Sequence, residues 1–240
     1  MTDSAHSAKK ADGAKTDRPH HTGHRARLKE RFLKNGPDAL ADYELPELLL
    51  FLGIPRKDVK PLAKKLIKRY GSLGNVLASE TQDLKSVPGL SDSGVTALKV
   101  VQAVSNRVLR EEITRKPILN SWSRLLEYCH SAMAREKRES FRVLFLNKKN
   151  ELIADEVQQT GTVDHTPAYP REIINRSREL GATAIILVHN HPSGDPEPSR
   201  ADIDLTQNII EAGRPLGIVI HDHLIIARGG SVSMRNEGYM

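Results

Sequence analysis

The chain has 240 residues, 38% hydrophobic and 28% charged, which is enough apolar material for one large domain or two small ones. No run of about 18 apolar residues occurs, which argues against a membrane-spanning helix. The single cysteine, Cys129, excludes a disulfide scaffold and a thiolate-rich zinc site. The net charge of +6 is unevenly placed: residues 1–117 carry 22 lysines and arginines against 14 acids, and residues 118–240 carry 14 against 16. A polyanion partner is therefore expected for the front half.

Residues 1–24 are polar and almost without large apolar groups, so they are expected to stay disordered. They contain no apolar stretch of the kind a secretory signal needs, which makes a cytoplasmic protein the default expectation. His20, His21 and His24 in this tail read as an inert cluster.

From Arg25 the pattern turns helical, with Leu28, Phe32 and Leu33 at helical spacing before an Asn35-Gly36-Pro37 stop. Glu44 to Leu52 reads as a second helix. Asp58 is a candidate N-cap for a third, whose inward face carries Leu62, Ala63, Leu66 and Ile67. Short helices over Leu73–Leu77 and Thr81–Lys85 precede a long one from Asp92 to Thr114, with Val95, Leu98, Val101 and Val108 as its apolar positions. Residues 25–115 are thus expected to form an all-α domain. Its segment Leu84-Lys85-Ser86-Val87-Pro88-Gly89-Leu90-Ser91 resembles a helix-hairpin-helix motif, in which the glycine allows close backbone approach and the next helix start can hold a phosphate. The resemblance implies DNA-backbone contact through residues 25–115. A hairpin that only packs is the plainer reading.

The stretch 115–122 marks the expected boundary to a second domain, residues 118–240. A helix over 121–134 presents Trp122, Leu125, Leu126, Cys129 and Met133 on one stripe, so Cys129 packs rather than reacts. Strands follow at Phe141–Asn147 and through Glu156–Gln159, then a helix after Pro170 with Ile173, Ile174 and Leu180 inward. A buried strand over 182–190, a helix from Ser199 to Ala212, a strand over Gly217–Ala227 and a final hairpin complete a small α/β domain with a covered mixed sheet.

The run His189-Asn190-His191-Pro192-Ser193-Gly194-Asp195-Pro196-Glu197-Pro198-Ser199-Arg200-Ala201-Asp202 carries the chemistry. Two histidines two apart at the end of a strand project from one face. The Pro/Gly-rich loop then leads to a helix whose first turn bears Asp202. Two imidazoles and a carboxylate suit a divalent metal, Zn²⁺ first among them, with the fourth tetrahedral position open to water. Ser199 and Asp202 also form an S-x-x-D capping box, a sufficient local reason for both. A second pair, His221 and His223, would share one strand face with Asp222 on the other. It reads as structural or as orienting a ligand.

The pattern H-x-H-P, six residues, Ser, two residues, Asp is similar to the JAMM signature of the MPN domain family of metallopeptidases and isopeptidases. With GTVDHTPAYPREI upstream and the helix-hairpin-helix in front, residues 25–240 resemble the RadC family. The resemblance implies an N-terminal helix-hairpin-helix-like domain, a C-terminal MPN (JAMM) domain and one Zn²⁺ per chain. It implies His189, His191 and Asp202 as the ligands and Ser199 as a stabiliser of the tetrahedral oxyanion. It also implies an upstream glutamate as general acid/base. Glu139 matches best, with Glu136 and Glu151 as rivals. A zinc-dependent hydrolase acting on a peptide or protein is the leading expectation. The alternative is a DNA repair or recombination accessory in which the metal domain mainly mediates interactions. A nuclease would want more carboxylates, and a zinc deaminase would want the P-C-x-x-C ligands that are absent here.

Overall fold

The computed structural model describes residues 23–114, 117–160 and 168–240. The expected disordered tail up to Thr22, with His20 and His21, lies outside these, as does the 161–167 part of the GTVDHTPAYPREI segment.

Six helices make the front half: α1 (His24–Asn35), α2 (Glu44–Gly53), α3 (Lys60–Tyr70), α4 (Leu73–Ala78), α5 (Thr81–Lys85) and α6 (Asp92–Thr114). Leu28, Leu50, Phe51, Ala63, Leu66, Val76, Leu84, Val95 and Leu98 fuse into one apolar core. The crossing of α2 and α6 is close. A Cβ on Gly53 would sit 2.4 Å from the Ser93 carbonyl oxygen, so only glycine fits that approach. Helix α1 begins a residue before the expected Arg25. His24 belongs to it and not to a loose tail, with Nε2 2.8 Å from Oε1 of the fully buried Glu47. Asp58 is not the N-cap of α3: Val59 holds that position without a side-chain cap, and Asp58, one residue earlier, accepts from the Lys60 amide on Oδ1 at 3.0 Å.

Two apolar positions differ from expectation. Leu33 is 82% exposed, because only the Leu28 stripe of α1 meets the core. Val108 is half-exposed together with Val100 and Val104, a row that α6 leaves open after Leu98. The last turns of α6 then enter a different core. Ile113 is fully buried there and Leu109 packs beside it. The 3-10 turn Ile118–Ser121 follows.

The back half is a five-stranded sheet with helices on both faces. In chain order it runs α7 (Trp122–Met133), β1 (Ser140–Leu146), β2 (Leu152–Thr160), α8 (Pro170–Glu179), β3 (Ala184–His191), α9 (Arg200–Gly213), β4 (Val219–Ala227) and β5 (Gly230–Ser233). The strand order is β2-β1-β3-β4-β5, antiparallel throughout except for the parallel β3–β4 pair that flanks α9. Alternation along the strands divides the side chains between two cores. Leu144, Leu146, Ile186, Val188, Leu224 and Ile226 meet α7 and the end of α6, while Phe141, Val143, Phe145, Ile185 and Leu187 meet α8 and α9. Cys129 lies in the first of these cores, where burial pushes its thiol up to about 12, so it is a packing residue.

On the edge of the same core, Asp155 accepts from Arg142 at 2.5 Å and from the Tyr128 hydroxyl, tying α7 to β1 and β2. No helix among the described residues is long and apolar enough to cross a membrane.

Candidate metal centre

The odd-numbered face of β3 runs out of core at its C-terminal end, and its next two positions are His189 and His191. His189 pairs with Phe141 of β1 on one side and Ile225 of β4 on the other, so the ring is fixed from both flanks and is 6% exposed. Phe141 stacks on it at 6.1 Å between centroids and 16° between planes. His191 is the last residue of β3 and is half-buried. The loop turns through Gly194 at φ 96° and enters α9, whose N-cap is Ser199. The capping box forms: Ser199 Oγ accepts from the Asp202 amide at 3.2 Å, and the Ser199 amide donates to Asp202 Oδ2 at 2.7 Å. That box swings the Asp202 carboxylate back toward β3.

The three side chains converge. His189 Nε2 lies 2.8 Å from His191 Nε2 and 3.2 Å from Asp202 Oδ1, and His191 Nε2 lies 3.5 Å from Asp202 Oδ2. All three donor atoms fall within 4.8 Å of one another. Ligand atoms at the corners of a tetrahedron with bonds of about 2.0–2.1 Å stand roughly 3.3 Å apart, so the donor set and its spacing fit a divalent cation. His189, His191 and Asp202 could hold a metal ion. A family model described as RadC-like JAB domain matches residues 119–239, just over half of the chain, and one described as UPF0758 N-terminal matches residues 20–96. The chain belongs to the RadC family. Its five-stranded mixed sheet with helices on both faces is the MPN/JAB fold, and the helical front half is the second part of the architecture expected from sequence.

In this RadC chain the proton states of the three ligand candidates are set by burial and by one another. Burial pushes the His189 imidazole down to about 4, keeping the ring neutral. The hydrogen bond with Asp202 raises His191. Burial alone would raise Asp202, but hydrogen bonds with His191 and Ser199 outweigh it and hold the carboxyl well below its usual range. His191 Nδ1 donates to the Asp195 carbonyl at 2.9 Å, which turns Nε2 toward His189 and Asp202.

A cavity of about 1040 Å³ opens over the triad, lined also by Ser199, Glu139 and Glu136. The three rival glutamates therefore separate. Glu139 sits close enough to His191 to raise it electrostatically. Glu136 accepts from Ser140 Oγ at 2.8 Å, and burial of its carboxyl raises it. Glu151 stands at the other end of the sheet, accepting from Asn147 Nδ2 at 2.8 Å.

Ser199 is on the cavity wall, its hydroxyl donating to Asp202 Oδ2 at 2.6 Å. The second H-x-H does not share one face as alternation predicts. A register shift in the β3–β4 pairing sets Ile220 opposite Ile185 but Asp222 opposite Ile186, so His221 is the extra residue. Its Nε2 goes to Asn150 Oδ1 at 2.7 Å, while His223 reaches the site from behind.

Sequence reasoning missed two things here. Asn190, the middle residue of His-Asn-His, points to the opposite face. There it takes the Ser140 amide on Oδ1 at 2.8 Å and gives Nδ2 to the Arg138 carbonyl at 3.0 Å, clamping the backbone on both sides of Glu139. The missed second part is the far wall of the cavity, which comes from the helical half: Arg69, Tyr70, Asn75 and Ser79. That wall is tied to the sheet domain by Arg135 Nε on Asn75 Oδ1 at 3.0 Å and by Asp83, which bridges Arg69 at 2.6 Å and Lys137 at 3.1 Å.

Proposed function

We propose that this RadC-family protein is a JAMM-type hydrolase that holds Zn²⁺ on His189, His191 and Asp202 and cleaves an amide bond in a peptide or protein. The observation that supports it is the convergence of two imidazoles and one carboxylate on a single point at the floor of a cavity large enough for an extended segment. Three protein ligands leave one tetrahedral corner open, as a hydrolytic site requires. When bound, the cation supplies Lewis acidity, making water a nucleophile near neutral pH and polarising a carbonyl.

The chain's own groups do the rest. Glu139 accepts the proton of the attacking water and returns it to the leaving amine. Ser199 turns its hydroxyl from Asp202 to the carbonyl oxygen as negative charge builds there, while its amide keeps Asp202 in place. The wall formed by Arg69, Tyr70, Asn75 and Ser79 faces the triad across the cavity and bounds the space open to a substrate.

Metal analysis of the purified protein should give about one zinc per chain, and the His189→Ala/His191→Ala pair should lose it. Glu139→Gln should keep the metal and cleave a peptide library about 10²–10⁴-fold more slowly. Stoichiometric zinc in the double variant would remove the ligand assignment, and undiminished cleavage by Glu139→Gln would remove the base.

A second role, nucleic-acid contact by the helical half, draws support from the exposed Lys64, Lys65 and Lys68 on α3. The hairpin itself speaks less for it. Asp92, 82% exposed at the first turn of α6, sets a carboxylate where a phosphate would approach. In the full-length protein, replacing the three lysines by alanine should lower the salt dependence of duplex binding by up to about three phosphate contacts. An unchanged slope would take α3 out of the interface.

A further inference from the structure

Behind the triad runs a buried chain of hydrogen bonds that ends on the backbone of one of its own members. His189 Nδ1 meets His223 Nε2 at 2.9 Å, His223 Nδ1 meets Thr206 Oγ1 at 2.6 Å, and Thr206 Oγ1 donates to the Asp202 carbonyl at 2.6 Å. His223 and Thr206 are fully buried, and the edge of Phe141 closes over the His223 ring at 5.6 Å.

A histidine is an awkward partner for a metal-binding histidine, because either ring can be the donor. A ligand imidazole usually gives its second N–H to a carboxylate or a carbonyl, groups that can only accept. Here the direction is set one step further back. The Thr206 hydroxyl has one proton, and the Asp202 carbonyl can only accept it. Thr206 must then accept from His223, which puts the His223 proton on Nδ1 and leaves Nε2 bare. His223 in turn accepts from His189 Nδ1, and His189 Nε2 is left with a lone pair facing the triad. Reversing the Thr206 hydroxyl reverses every bond and places a proton on His189 Nε2, where it blocks the ligand position.

We propose that Thr206 and His223 are positioning residues that fix the tautomer of His189, so that the ring is a metal ligand without any change in its charge. This inference rests on the reading of His189 as a ligand. The Asp195 carbonyl does the same for His191 directly, so the two imidazoles are set by separate devices.

The test compares the full-length wild type with Thr206→Val, which keeps the shape and loses the hydroxyl, and Thr206→Ser, which restores it. Zinc affinity is read by competition with a chromophoric chelator, and the tautomer of His189 by nitrogen NMR of the metal-free wild type. Thr206→Val should bind zinc about 10–100-fold more weakly with Thr206→Ser near wild type, and the metal-free wild type should carry the His189 proton on Nδ1. Equal zinc affinity in a folded Thr206→Val, or a proton on His189 Nε2 in the wild type, would overturn the proposal. Should Thr206→Val fail to fold, the wild-type spectrum alone decides. A wild type that binds no zinc but shows the Nδ1 proton would refute the metal reading and leave the relay standing.

Discussion

Asn190 shows how one residue can shape the candidate site without lining its cavity. It sits between two ligand candidates, yet its amide faces the opposite side of the sheet, where it holds the Arg138 carbonyl and the Ser140 amide. Glu139 lies between those two anchor points, so its backbone has little freedom to drift from the cavity. If Glu139 is the proton acceptor of the proposed hydrolase, Asn190→Ala should leave zinc content unchanged and lower the rate of peptide cleavage by about 10²-fold, the cost of misplacing that group. In a Glu139→Gln background the same change should cost almost nothing more, because both act through one carboxylate. A full additional loss in the double variant would show that Asn190 acts elsewhere. The candidate ligands were legible in the sequence because their geometry is local: a strand places His189 and His191 on one face, and a capping box returns Asp202 to them. Of the groups that orient them, His223 was legible only as one of a pair read as structural or ligand-orienting, and Asn190 not at all. Asn190 finds its partners 50 and 52 residues away, and His223 is turned toward His189 by a bulge that no alternation pattern reveals.

At the scale of elements, sequence pattern located every described α-helix and strand to within a few residues, while the 3-10 turns Pro37–Ala39 and Arg214–Leu216, which bury no side chain, left no signal. The same pattern misjudged Leu33 and Val108, because periodicity says which residues share a face but not how far along a helix that face remains covered. The α2–α6 crossing is the opposite case, a contact decided by the absence of a side chain. The sequence reading ends the helix at Leu52, and the packing role of Gly53 appears only when Ser93 is found against it. Gly53→Ala drives a methyl group into backbone that has no rotamer to give way, so α6 must shift bodily. The expected cost is about 1–3 kcal/mol, read as a lower denaturant midpoint with an unchanged slope. A variant as stable as the wild type would mean that the two helices can separate freely at this point.

The whole molecule is organised by α6, which begins in one core and ends in another. Val95 and Leu98 pack among the front helices, whereas Leu109 and Ile113 pack with Leu125, Ile186 and Leu224 beneath the sheet. A rigid helix shared in this way couples the two halves, and the bonds of Arg135 and Lys137 to Asn75 and Asp83 close the same joint from the cavity side. The sequence marks a boundary near 115 because composition and periodicity change there, but it carries no sign that the last turns of the preceding helix belong to the following core. Ile113→Ala separates the two views. It removes a fully buried side chain from the sheet domain at an expected cost of about 2–5 kcal/mol. If the halves unfold as one unit, the fluorescence of the single tryptophan, Trp122, and the far-ultraviolet helical signal should move together to the same lower midpoint. The slowest-exchanging amides of α2 and α3 should lose protection by the same amount as those of β3, although Ile113 touches neither helix. Loss of protection in β3 alone, with α2 and α3 unchanged, would show that the helical half is an independent unit and that the cavity between them opens without disturbing either core.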